Sequence, residues 1–389
     1  MLVLTSSTGA GHDMHARAFA EWADYLYGEK IEVRVEQLLE NSSWVLRQGV
    51  RLYNAIQRHA PWAHHAYYQI VEALSLIHQN GIAFGQPYFT RLLETFSPDV
   101  ILSVHDCLNR GYFALARKIL GSSLRCVTFC LEFEGGYGFS RNWADPTVDL
   151  FLGRTPDTAE FGERFGIPRG QCKALGDLFP RRFCAEPLAL KERENYLAER
   201  FGFTAQRLTL LLATGGAGAE NHLALLENLS SLEVQVIALC GRDSRALERL
   251  NAWRARHPHF HLHALPFTDA MPELLQVSSA VIARAGGIAA EALFFGCPVI
   301  FNTIGGTMPQ EIPTIRYFRK RQIATVISRA TAITPIVQGW LAQPDSYQAL
   351  RARVAACKPR EDPHQLVAAI IGDGARISEV IRRPVERSG

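Results

Sequence analysis

Several features are missing from this 389-residue chain, and each absence removes a class of function. No run approaches the roughly 20 apolar residues of a transmembrane helix, so any contact with a membrane is expected from one side only. No charged n-region followed by an apolar h-region opens the chain, and the first strand starts almost at Met1, so no signal peptide is expected. Paired cysteine motifs are absent too. The eight cysteines (Cys107, Cys126, Cys130, Cys172, Cys184, Cys240, Cys297 and Cys357) are scattered without a C-x-x-C pair, and read as reduced thiols of a cytosolic protein. Neither charge sign dominates: 41 basic against 38 acidic residues give a net charge of +3, spread along the chain, which argues against a nucleic-acid partner. Low-complexity segments and strict repeats are absent, as are a Gly-Lys-Ser/Thr phosphate loop and a metal-binding D-x-D.

What is present is a long, 48% hydrophobic chain in which strand-like and helix-like segments alternate, enough for two cores and an α/β fold with parallel sheets. In the first half, "LVLT", "IEVRV", "DVILSVH", "LRCVTFCLEF" and "VDLFLG" read as strands. In the second, "RLTLLLATGG", "EVQVIALCG", "HFHLHALPF", "SAVIARAGG" and "PVIFNTIGG" do. Two doubly wound domains are expected, residues 1–184 and 185–358, with the break near "CAEPLAL" at Pro187 and a helix or tail over 359–389. That last stretch, with Arg376, Arg382, Arg383 and Arg387, either returns to the first domain or is a loose basic tail.

Three places concentrate the chemistry. In "LVLTSSTGAGHDMHARAFAEW" a buried strand gives way to a helix through Gly9 and Gly11, which sets His12 at a helix N-terminus. The positive end of a helix disfavours imidazolium, so His12 is expected to be neutral and able to take a proton. His15, three residues on, would make a metal pair only with a third ligand, and none is apparent. A helical insert over 38–96 places Arg47, Arg51 and Arg58 on one side of a helix, either as a solvated edge or as an interfacial face toward anionic headgroups. In the second half, Gly215, Gly216 and Gly218 end a strand and run into a helix, as a phosphate cradle or as close packing. Arg242 follows the next strand, and Arg284, Gly286 and Gly287 precede a helix bearing Glu291. Carboxyl ends of neighbouring parallel strands converge on one crevice, where a carboxylate suits a ribose diol and an arginine suits a diphosphate.

From "TSSTGAGH" through "SPDVILSVHDCLNRG", "RCVTFCLEF", "LGDLFPRRF", "LLATGGAGAE", "LPFTDAMPELLQVSSAVIARAGG" and "AAEALFFGCPVIFN" to "PQEIPTIRYF", about nine tenths of the chain resembles one family. It is similar to the nucleotide-sugar glycosyltransferases with two Rossmann-like domains facing a cleft (GT-B). Specifically, it resembles the group of monogalactosyldiacylglycerol synthases, processive diacylglycerol glucosyltransferases and the transferase that completes lipid II. The resemblance implies an acceptor-holding first domain and a donor-holding second one. It implies His12 as general base, Glu132 (where relatives carry aspartate) orienting the imidazole or the acceptor, and Gly9, Gly11 and His105 on the acceptor side. It further implies Phe267 beside uracil, Glu291 on the ribose, Gly216, Gly218 and Arg242 on the diphosphate, and Gln310 and Glu311 on the hexose, with Gly215, Arg284, Gly286 and Gly287 also on the donor side. The implied donor is a UDP-sugar without a metal cofactor, and the implied setting is the cytoplasmic face of an anionic membrane with diacylglycerol as acceptor. Galactose ranks ahead of glucose on the resemblance. Departures are a shortened "RAGGIAAE", without the relatives' threonine, and Pro313 and Thr314 after the Gln-Glu pair. The remaining alternatives are another acceptor, such as an isoprenoid-linked sugar, or a degenerate transferase that only binds.

Overall fold

The computed structural model describes residues 1–9, 11–77, 82, 84–213, 221–359 and 362–372. The strands are β1 (Leu2–Thr5), β2 (Arg34–Gln37), β3 (Val100–Ser103), β4 (Arg125–Cys130), β5 (Leu150–Gly153), β6 (Cys172–Ala174), β7 (Leu208–Leu212), β8 (Val234–Leu239), β9 (His261–Leu265), β10 (Ala280–Ala283), β11 (Val299–Asn302) and β12 (Ala324–Ile327). Between the first six lie α1 (Gly11–Tyr27), α2 (Leu38–Ser42), α3 (Trp44–His59), α4 (His64–Ile77), α5 (Gln86–Phe96), α6 (Tyr112–Leu120) and α7 (Pro156–Arg164). After them come α8 (Leu190–Phe201), α9 (His222–Leu229), α10 (Ser244–Arg256), α11 (Met271–Val277), α12 (Gly287–Phe295), α13 (Glu311–Lys320), α14 (Ile333–Ala342), α15 (Pro344–Ala356) and α16 (Pro363–Ile371).

Two parallel sheets of six strands result, ordered β2-β1-β3-β4-β5-β6 and β12-β11-β10-β7-β8-β9. The central strands β1, β3, β5, β10 and β11 are buried at every position, as expected where helices cover both faces. Registers such as Leu2↔Ile101 and Leu210↔Ala280 pair apolar residues with apolar neighbours. The order matters for function. In the first sheet the chain leaves β1 toward β2 and then crosses back to β3; in the second it leaves β7 outward to β9 and crosses back to β10. Ligand crevices open at such reversals, beyond the strand carboxyl ends, which here means the turns after β1 and β3 and after β7 and β10.

Helix starts follow local chemistry. Ser43, Thr155, Asp243 and Asp362 each cap a helix by accepting a backbone N–H, and Pro156, Pro344 and Pro363 stand in first turns, where a missing N–H costs nothing. The last described helix settles one open point: Leu366, Val367, Ile370 and Ile371 of α16 are buried with Val3, Phe19, Trp22 and Val100, so the chain returns to the first sheet. Arg376, Arg382, Arg383 and Arg387 lie outside the described residues.

The two halves are tied across the cleft. Phe133, after β4, packs on Tyr317 and Phe318 of α13 at ring distances of 5.1 and 5.2 Å. The buried Glu134 pairs with Arg316 and, at 3.1 Å, with Lys320, while Arg321 reaches Asp157 at 2.9 Å. Among the described residues no helix is long and apolar enough to cross a membrane.

Candidate active site

After β1 the chain turns through Ser6, Ser7, Thr8 and Gly9, whose φ of +78° lies where only glycine is unstrained. Side chains from several elements lock this turn. Asp13 accepts from Thr5 Oγ1 (3.0 Å), Ser7 Oγ (2.7 Å) and Gln37 Nε2 (2.8 Å). Glu40 accepts from Ser6 Oγ (3.0 Å) and the Ser7 amide (2.6 Å). From α3, Asn54 donates to the Ser7 carbonyl (3.0 Å) and accepts from the Gly9 amide (3.2 Å).

His12 stands in the first turn of α1. Its Nδ1 lies 2.6 Å from the Val104 carbonyl, an acceptor only, so Nδ1 carries the proton and Nε2 holds a lone pair. Its ring lies 4.4 Å from that of His105 and 6.1 Å from that of Trp143. Burial first, and the neighbouring His105 second, push its pKa down to about 3, with Asp106 and the Val104 carbonyl opposing. A neutral imidazole with an open Nε2 is the form a general base needs at neutral pH.

His105 joins the two turns, since its Nε2 meets Thr8 Oγ1 at 2.7 Å and its Nδ1 lies 3.1 Å from the Cys107 amide and 3.0 Å from Asp106 Oδ1. Burial alone would raise Asp106, but hydrogen bonds from His105 first and Ser140 after it hold it well below the usual carboxylate range. His105, Asp106 and Cys107 bring possible ligand atoms within 4.8 Å of one another. Burial and Asp106 push the Cys107 thiol well above its ordinary range, which disfavours the thiolate a metal would require.

Glu132, after β4, is raised to about 8 by burial, with Arg154 opposing and Asp106 reinforcing, so its carboxyl carries a proton at neutral pH. Its side chain bonds Trp143. The bond from Nδ1 to the Val104 carbonyl is what orients the His12 imidazole. His15 points elsewhere, with Nδ1 2.7 Å from the Gly11 carbonyl and Nε2 2.6 Å from the buried Asp177, which Arg154 approaches to 2.8 Å.

On the opposite wall, Gly286 caps α12 and Gly287 begins it. A Cβ built on Gly287 would lie 3.9 Å from Gly11 Cα, while one on Gly11 or Gly286 would meet nothing within 4 Å. Thus α1 and α12 face each other start to start, and two positive helix ends share one space, a setting for an anion. Glu291, in the second turn of α12, is raised to about 7 by burial and by Asp177, with Arg182 opposing, and its buried Oε2 has no partner among the described residues. An open carboxyl oxygen of this kind suits a diol. Arg242 lies over the half-exposed Phe267 ring at 5.4 Å, beyond the ends of β8 and β9.

Arg284 and Glu311 hold each other in a two-pronged ion pair, 2.7 Å on the Nε–Oε1 side, and Glu311 also accepts the Met308 amide at 2.8 Å. The pair braces the loop carrying Gln310. Gln310 itself bonds the Tyr53 hydroxyl of α3, and His65 of α4 meets the Thr307 carbonyl at 3.0 Å. The insert therefore roofs the donor loop, a contact that local sequence could not signal. Asp106 could have been found from "VHDC" at a strand end; Tyr53 and Asn54 sit in no motif. Gly215, Gly216 and Gly218 lie outside the described residues, as does the side chain of Arg58. Arg47 and Arg51 are exposed on α3, beside exposed Trp44, Val45 and Leu52.

Residues 12–177 match the monogalactosyldiacylglycerol (MGDG) synthase family, and residues 209–307 match the glycosyltransferase family 28 C-terminal domain. The chain is thus similar to monogalactosyldiacylglycerol synthases in its first half and to family 28 glycosyltransferases in its second. The matched segments hold both walls of the cleft, from His12 to Asp177 and from β7 past Gly287 and Glu291. Among its relatives, a probable chloroplastic monogalactosyldiacylglycerol synthase of Glycine max is 26% identical over 90% of this chain and 66% of its own length. The processive diacylglycerol beta-glucosyltransferase of Bacillus subtilis is 23% identical over 91% of this chain and 90% of its own. The chain thus spans just under two thirds of the plant protein and most of the bacterial one. Anabaena Alr3699/HepE, solved in complex with UDP, superposes with a TM-score of 0.57 at 12% identity, covering 95% of this chain and 98% of that one, which establishes the GT-B fold.

Proposed function

We propose that this protein is an inverting glycosyltransferase that moves a hexose, galactose ahead of glucose, from a UDP-sugar to diacylglycerol at the cytoplasmic face of a membrane. The observation that carries the reading is the opposition of Gly11 and Gly287, which puts the open Nε2 of His12 on one wall and the anion-attracting start of α12 on the other. The names of the relatives supply the acceptor class and the UDP-bound neighbour supplies the donor class.

In this reaction His12 Nε2 takes the proton of the acceptor hydroxyl as its oxygen attacks the anomeric carbon. The bond from that carbon to the diphosphate oxygen breaks in line, the configuration inverts, and UDP departs with the electron pair toward the two helix ends. Their N–H groups meet the developing charge, so the mechanism calls on no metal. Glu291 would hold the ribose, Phe267 and Arg242 would flank the base, and Gln310, braced by the Arg284–Glu311 pair, would hold the hexose. The exposed apolar residues of α3, with Arg47 and Arg51, would rest on anionic headgroups.

The test is product structure. Protein incubated with UDP-galactose or UDP-glucose and diacylglycerol vesicles should release UDP only when the vesicles contain diacylglycerol. The extracted glycolipid should show an anomeric configuration opposite to the donor's by NMR. Retained configuration would sink the single displacement, and release of UDP indifferent to diacylglycerol would sink the acceptor.

A further inference from the structure

His64 opens α4 at the inner side of the insert, only 1% exposed. Its ring packs against Tyr53 at 4.5 Å and Tyr67 at 5.8 Å. One ring nitrogen donates to the Tyr53 backbone carbonyl, and Nε2 is buried without a partner among the described residues. The bonded nitrogen is therefore Nδ1, and Nε2 presents a bare lone pair. A buried acceptor left empty is costly, so it calls for a partner that arrives from outside.

The surroundings say what partner. Tyr53, edge-on to His64, bonds Gln310 through its hydroxyl, and burial, with His65 and Arg284 behind it, lowers the pKa of the His64 ring and keeps it neutral. His64 thus faces the same loop that the proposed function assigns to the hexose, but from the other domain. A neutral imidazole acceptor pairs with an O–H, and a hexose carries several. An anion fits less well, because it has no hydrogen to give.

We infer that His64 is a sugar-binding residue supplied by the helical insert, its Nε2 accepting a hydrogen bond from one hydroxyl of the donor hexose across from Gln310. This rests on the UDP-sugar reading above. It makes the insert part of the sugar pocket as well as its roof, and assigns to the first domain a share in choosing the hexose.

Calorimetric binding of UDP and of UDP-galactose and UDP-glucose to the full chain separates the possibilities without any lipid. His64→Phe keeps the ring and removes the lone pair; His64→Gln restores an acceptor of similar reach. In His64→Phe the Kd for the preferred UDP-hexose should rise about tenfold, with the Kd for UDP unchanged, and His64→Gln should recover part of the loss. Unchanged UDP affinity also reports that the variant has folded. Should His64→Phe fail to fold, His64→Leu, which also lacks the acceptor, decides with deoxygenated UDP-hexoses. One deoxy position should cost affinity in the wild type and little in a variant that lacks the bond. An unchanged ratio of UDP-hexose to UDP affinity in every folded variant would overturn the role of His64 alone. A wild-type protein that binds UDP but no UDP-hexose would overturn the donor reading with it.

Discussion

The bond from His12 Nδ1 to the Val104 carbonyl fixes which ring nitrogen can accept, and burial beside His105 keeps the ring uncharged. Both effects are physical consequences of one placement, and both leave a mark on stability. The folded value of His12 lies near 3, below its ordinary 6.5. Between those values the unfolded chain holds a proton that the folded chain refuses, so stability falls as pH drops through that window. Glu132 runs the other way: its folded value near 8 stands above the ordinary 4.5, so the folded chain holds the extra proton and stability falls as pH rises from 4.5 through 8. Melting temperature followed against pH should therefore show His12→Phe less acid-sensitive than the wild type below 6.5, and Glu132→Gln less alkali-sensitive up to about 8. Superimposable curves would remove the electrostatic account of both residues. His12 was legible from sequence because a glycine turn between a strand and a helix marks a helix start. The acceptor of its Nδ1 was not, because Val104 lies 92 residues away.

Elements with strong apolar runs were readable, while weak edge elements were not. The central strands stand where the alternation placed them. β2 occupies Arg34–Gln37 instead of "IEVRV", since its pairing with β1 (Leu2↔Arg34) sets the register. β6 ("CKA") is a three-residue outer strand whose residues carry little hydrophobic signal, and β12 ("ATVI") is apolar but only four residues long, so partner strands reveal them more plainly than local sequence does. The insert is the clearest case of an element with two faces. α3 turns Tyr53 and Asn54 inward to the donor loop and the glycine turn, and presents Trp44, Val45, Leu52, Arg47 and Arg51 outward. Arginines read from helical spacing gave the outer face; the inner face depends on contacts over more than 40 residues of sequence. On the proposed membrane role, Arg47→Glu with Arg51→Glu should cut flotation with anionic liposomes by roughly tenfold or more, because each basic side chain near the surface contributes about 1 kcal/mol. Raising salt should weaken the wild type in the same direction, while UDP affinity stays constant. Equal flotation of the variant would assign the arginines to an ordinary solvated edge.

At the scale of the molecule, function depends on two sheets whose chain reversals are set face to face. Each supplies a helix start at its own crevice, and ion pairs of Glu134 with Arg316 and Lys320, together with the Phe133 contact, tie the walls at one end. The insert ties them at the other through Tyr53–Gln310 and His65–Thr307. The alternation of strands and helices implied two such halves, and the resemblance implied a cleft, but the start-to-start meeting of α1 and α12 follows only from the packing of the halves. On the proposed mechanism, that meeting sets His12 as a base beside the departing diphosphate. The most direct test is transfer itself. Purified protein is incubated with radiolabelled UDP-galactose or UDP-glucose and diacylglycerol in anionic liposomes, and the lipid phase is extracted. The wild type should put label into lipid, and His12→Ala should lower that rate by about 10²- to 10⁴-fold with UDP affinity intact, the usual range for loss of a general base. Label in lipid at an unchanged rate in the variant would contradict the role of His12, and no label in lipid from the wild type would contradict the transferase.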